Sequence, residues 1–147
     1  MDREIRSAGR YHYPVTLCLI DLDDFRSYNE TFGHEKGNHL LKTFGLFLRG
    51  TVRFSDSVSR YEKDEFLVML PHTDLVASEK FLQRIQILSH ERIDASFSAG
   101  VTSYRAGESP SQFLERAKIA LSEAKREGSK KIRCIIGNDD THVVVSF

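Results

Sequence analysis

An arginine and an aspartate stand three positions apart in residues 53–66, RFSDSVSRYEKDEF, and the acidic pair Asp64 and Glu65 follows closely. A guanidinium is a planar fork of donors that pairs with phosphate or with the O6 and N7 edge of guanine. A carboxylate accepts from the N1 and N2 hydrogens of the same base. Arg53 and Asp56 are therefore compatible with a phosphate or a base edge, although such a pair taken alone is most often a solvated surface pair worth little. A second acidic group, Asp21, Asp23 and Asp24, follows the apolar run at residues 15–20. Open α/β sheets usually place ligands at the carboxyl ends of their strands, which makes these carboxylates candidate metal ligands together with Asp64 and Glu65.

The elements that must position these groups follow from periodicity. FLVML at residues 66–70 reads as a short apolar strand, and residues 56–61 alternate enough to be its antiparallel partner. Glu62, Lys63 and Asp64 must then make the hairpin turn. Tight turns favour Gly, Asn or Asp, which tolerate positive φ, and other residues cost roughly 1 kcal/mol or more there. Glu62 and Lys63 are poor choices for it. Further strands are expected at residues 15–20, 95–102, 131–136 and 143–147, the last two joined by Gly137, Asn138, Asp139 and Asp140. Helical stripes lie at residues 38–48, 75–89 and 113–127, the last ended by Gly128, and residues 1–10 form a helical lead-in. Strands and helices in this order, with a central hairpin, predict an α+β fold: a mostly antiparallel sheet flanked by helices.

With 147 residues, 40% of them hydrophobic, the chain is long enough for one well-buried core and is read as a single domain, 1–147. Its 21 basic and 21 acidic residues cancel, so no net charge argues for nucleic acid or an acidic membrane as partner. Cys18 and Cys134 lie in strand-like runs and read as buried free thiols of a cytoplasmic protein. No stretch is long and apolar enough to span a membrane, so any membrane-bound portion of a larger protein lies outside this sequence. The six histidines show no metal-ligand spacing and read as surface or core residues.

Four segments, LIDLDDFRSYNETFGHEKGNHLL, RYEKDEFLVMLP, SAGVT and RAKIALSEAKREGSK, resemble in order and spacing the GGDEF domains, which join two GTP into cyclic di-GMP. The resemblance covers roughly residues 5 to 133 and implies a nucleotidyl cyclase palm-like fold. It implies that Asp21 and Asp64 are metal-binding carboxylates, with the Leu22 carbonyl as a backbone ligand. Hard oxygen ligands of this kind suit magnesium. By the same resemblance Asn29 reads guanine and Lys125 binds phosphate. Arg53 and Asp56 match the family's inhibitory site for cyclic di-GMP, and Arg84 matches a second arginine of that site.

The departures gather where catalysis needs help. Glu62 and Lys63 replace paired glycines that let backbone approach the nucleotide. Asn38 stands where the family has an aspartate for guanine, and Ser129 replaces a phosphate-binding arginine. Each loss corresponds to about 1 to 3 kcal/mol of binding or transition-state stabilisation. The resulting expectation is a degenerate domain with no catalytic residues beyond the remnants Asp21, Asp64 and Glu65, and with no cofactor required beyond magnesium at the remnant. It would bind cyclic di-GMP, pair with a second copy or an effector protein, and act as a receptor. The alternatives are an active diguanylate cyclase tolerating an unusual turn, a GTP-binding regulatory domain, or a dimerisation unit.

Overall fold

Strand β1 (Val15–Leu22) is buried along its whole length and sits at the centre of the sheet in the computed structural model, which describes residues 1–136 and 141–146. Helix α1 (Asp2–Tyr11) leads into it and buries Ile5 and Ala8. After β1 come α2 (Phe25–Phe32), α3 (His34–Thr51), the hairpin β2 (Ser57–Arg60) and β3 (Glu65–Pro71), then α4 (Leu75–Ile93). Strand β4 (Phe97–Ser103), α5 (Pro110–Arg126), β5 (Lys131–Ile136) and β6 (Thr141–Ser146) complete the order. Among the described residues the strands form one six-stranded sheet, β2-β3-β1-β4-β5-β6, antiparallel except where β4 meets β5.

Alternation along β1 assigns its side chains to the two layers. Cys18, Ile20 and Leu22 join the core under α3 and α4, where Phe44 packs on Phe66 and Phe97 with ring centroids 5.2 and 5.7 Å apart. Val15, Leu17 and Leu19 face Phe113, Ala117 and Leu121 of α5. Asp21 has the parity of Leu17 and Leu19, so it points toward α5. Cys18 and Cys134 are both buried and free, with Val101 of β4 paired between them. Two strand spacings, about 9.6 Å, separate them, too far for a disulfide.

Several boundaries differ from the sequence expectation. The first helical stripe, expected over 38–48, is part of α3, and α2 has no counterpart among the expected elements. None of its residues is fully buried, so it carries no apolar stripe to read. Gly33, at φ 89°, separates the two helices. Strand β1 runs two residues further than the apolar run, because Asp21 is taken inside rather than left in a loop. Helix α5 starts at Pro110, where Ser109 and Gln112 form a reciprocal capping box. The expected turn at 137–140 and Phe147 lie outside the described residues.

Candidate nucleotide and metal sites

The registers of β1 with β3 and with β4 set Asp21 opposite Glu65 on one side and Ser98 on the other. Its carboxylate is 2% exposed. Oδ2 pairs with the Lys125 ammonium from the last turn of α5, the Asp64 carboxyl lies close enough to interact with it, and Oδ1 is buried with no partner. The Leu22 N–H donates to the Asp64 carbonyl at 3.3 Å, which ties the hairpin turn to the end of β1. The structure thus brings Asp21, Leu22, Asp64, Glu65 and Lys125 into one cluster.

Burial and the Asp64 neighbour push the Asp21 carboxyl up to about 7, against the pull of Lys125. Burial likewise raises Glu65. Burial acts to lower Lys125, but its bond to Asp21 and the charges of Asp64 and Glu65 outweigh that and leave it raised. Between the ordinary aspartate value of 3.8 and about 7, the folded protein holds a proton on Asp21 that the unfolded chain releases. Stability from this group is therefore full below about pH 4 and lost as pH rises toward 7. Asp21→Asn should remove a decline of roughly 1 to 3 kcal/mol between those limits, read from urea midpoints at pH 4.5 and 7.5. Equal pH slopes for the two proteins would assign the decline elsewhere.

The donor set fits a hard divalent ion: an unpartnered buried carboxylate oxygen, a second carboxylate beside it, and the Leu22 carbonyl as the expected backbone oxygen. Among the described residues no group of three His, Cys, Asp or Glu side chains is arranged for a metal, so such a site needs that carbonyl and exogenous oxygens. Asp23 takes a different role. Its Oδ1 accepts from Ser98 Oγ at 2.7 Å and its Oδ2 from the Lys130 N–H at 2.9 Å, so it clamps β1 to β4 and to the start of β5. Asp24 is exposed, at φ 54°, and precedes α2. Of the three expected acidic groups, Asp21 alone joins the cluster.

In the turn, only Lys63 takes positive φ, 41°, and Glu62 does not. The expected strain therefore falls on one residue, and the Arg60 guanidinium donates to the Lys63 carbonyl there. Asn29 and Asn38 stand on the α2–α3 pair. The Asn29 Oδ1 is buried without a partner against Gly37, where a Cβ would come within 1.7 Å of it. A glycine inside a helix is a costly choice that signals close approach, and Gly37 was legible on that ground. Asn38 and Ser129 are exposed.

Arg53 and Asp56 lie between α3 and β2. The Asp56 N–H closes a turn on the Arg53 carbonyl at 3.0 Å, and Asp56 Oδ2 accepts from the Arg53 N–H at 2.8 Å. Arg53 Nε and Nη2 grip both carboxylate oxygens at 3.2 and 3.1 Å, while Nη2 also reaches the Pro71 carbonyl and Thr73 Oγ1. The Asp56 side chain is 3% exposed and that of Arg53 58% exposed. Arg84 of α4 lies over the Phe81 ring at 5.7 Å and lines the same recess, about 250 Å³ in volume. Thr73, which sequence reasoning missed, fixes the far edge of the fork.

A sheet of this order, with helices on both faces and the β2–β3 turn bound to the end of β1, defines an α+β domain of the cyclase palm type. Residues 1–131 match the family described as diguanylate cyclase, GGDEF domain, and the chain belongs to that family. The chain is 31% identical over 140 residues to the diguanylate cyclase DgcP of Pseudomonas aeruginosa, covering 90% of this chain and 21% of DgcP. The crystal structure of the diguanylate cyclase SiaD in complex with its activator SiaC, from the same species, superposes with TM-score 0.84 at 31% identity, over 90% of this chain and 54% of SiaD. The GGDEF domain of DgcB from Caulobacter crescentus, solved in complex with c-di-GMP, gives TM-score 0.85 over 90% of this chain and 84% of that domain; at 23% identity it speaks for the fold. Among the described residues no helix is long and apolar enough to cross a membrane.

Proposed function

We propose that this is a catalytically inactive GGDEF domain that binds cyclic di-GMP through Arg53, with Arg84 as a second cation, and relays its occupancy to a partner or neighbouring domain. The observation that carries this reading is the Arg53 fork, held by four hydrogen bonds to Asp56, Pro71 and Thr73 yet more than half exposed, at the end of the β2–β3 hairpin opposite the turn that holds Lys63 at positive φ. Both Asp56 oxygens are engaged by Arg53, so Asp56 positions the fork and meets guanine only by sharing those bonds. Membership of the diguanylate cyclase family supports the ligand class.

In the remnant cluster, magnesium bound by Asp21, Asp64 and the Leu22 carbonyl would neutralise triphosphate charge and help activate a ribose hydroxyl. Glu62 and Lys63 put two exposed side chains where the nucleotide would approach the turn backbone. The second reading, an active diguanylate cyclase, draws on the convergence of Asp21, Asp64 and Lys125. Incubating the pure protein with GTP and magnesium and resolving the products by chromatography is expected to yield no cyclic di-GMP. Clear turnover would overturn the receptor reading in favour of the cyclase.

A further inference from the structure

Resting on the receptor reading of the Arg53 recess, we infer that His72 is a base-stacking residue of that recess, selecting a ligand with an aromatic heterocycle over a bare phosphate. His72 lines the recess with Arg53, Asp56 and Arg84. It is exposed, and it holds φ 55°, a left-handed conformation that costs a non-glycine residue about 1 kcal/mol or more. The surrounding contacts keep it there: Pro71 and Thr73 on either side are bonded to Arg53.

One face of the imidazole is already stacked on Tyr13, with ring centroids 3.9 Å apart and planes 21° apart. Tyr13 cannot swing away freely, since its hydroxyl donates to Glu4 Oε1 of α1 at 2.7 Å. A stacked pair backed in this way, beside two guanidinium groups, is the arrangement on which a purine extends the stack while cations take its phosphates. The arginines alone bind anions of many kinds. A flat ring beside them adds preference for a nucleobase.

Calorimetry with cyclic di-GMP and with inorganic pyrophosphate tests the inference on wild type, His72→Ala, His72→Phe and Arg53→Ala. His72→Ala should weaken cyclic di-GMP binding roughly tenfold and leave pyrophosphate unchanged, and His72→Phe should restore the dinucleotide to within about threefold. A 2-aminopurine analogue of the dinucleotide should be quenched on binding to wild type and His72→Phe, and not to His72→Ala. Undiminished binding and quenching in His72→Ala, with loss in Arg53→Ala, overturns the stacking and leaves the receptor reading intact. No binding by wild type overturns both.

Discussion

Arg53→Ala is expected to weaken cyclic di-GMP binding by about 1 to 3 kcal/mol, roughly five- to 150-fold, the range for a charge-assisted fork. Asp64→Ala should leave it nearly unchanged, because Asp64 belongs to the cluster at the end of β1 and not to the recess between α3, β3 and α4. Removing the guanidinium also strands the nearly buried Asp56 carboxylate. Arg53→Lys therefore accompanies it: the charge stays and the fork is lost, so a binding defect shared by both variants belongs to the bidentate geometry. Calorimetry that shows the reverse pattern, with Asp64 essential and Arg53 dispensable, places the ligand in the remnant active site and refutes the assignment.

Gly100→Ala should destabilise the fold by about 3 kcal/mol or more, among the largest effects a single methyl can have. A Cβ at Gly100 would lie 2.3 Å from the Leu121 nitrogen, 2.4 Å from the Ala117 oxygen and 2.9 Å from the Ala120 carbonyl carbon. These are backbone atoms of α5, which cannot rotate aside, so the whole helix must lift from the sheet. Because α5 carries Lys125 to Asp21, the same substitution should also open the remnant cluster. Chemical denaturation measures the first effect. Stability within about 0.5 kcal/mol of wild type would mean that α5 sits further from β4 than these distances require.

The sequence revealed the parts of the fold that have a buried face. FLVML, VTLCLI and the stripes of α4 and α5 announce themselves through apolar spacing, and β3, β1 and these two helices are found where that spacing puts them. Helix α2 escapes because it buries nothing completely. Of the candidate sites, the residue types of Arg53, Asp56, Asp21 and Asp64 are legible, and so is the poor fit of Lys63 to its turn. Which carboxylate points where is not. Asp21 and Asp23 differ by two positions and share a residue type, yet one meets a lysine under α5 and the other bonds a serine and a backbone amide. His72 was equally opaque, since it acquires a role only when β3 ends beside Tyr13, nearly sixty positions upstream.

The Asp23 clamp bears on how distant parts of the chain are held to one another. It joins Ser98 across 75 positions and Lys130 across 107. Closing loops of that size carries an entropy penalty that local helices and the β2–β3 hairpin do not meet, and the β1–β4 pairing, which sets Leu22 opposite Phe97, carries it too. Strand β5 also pairs parallel to β4 and reaches it only after α5 has crossed over. Asp23 thus ties the end of β1 to β4 and to the entry of β5. An acidic run that reads as a set of candidate metal ligands also holds together strands that lie far apart along the chain.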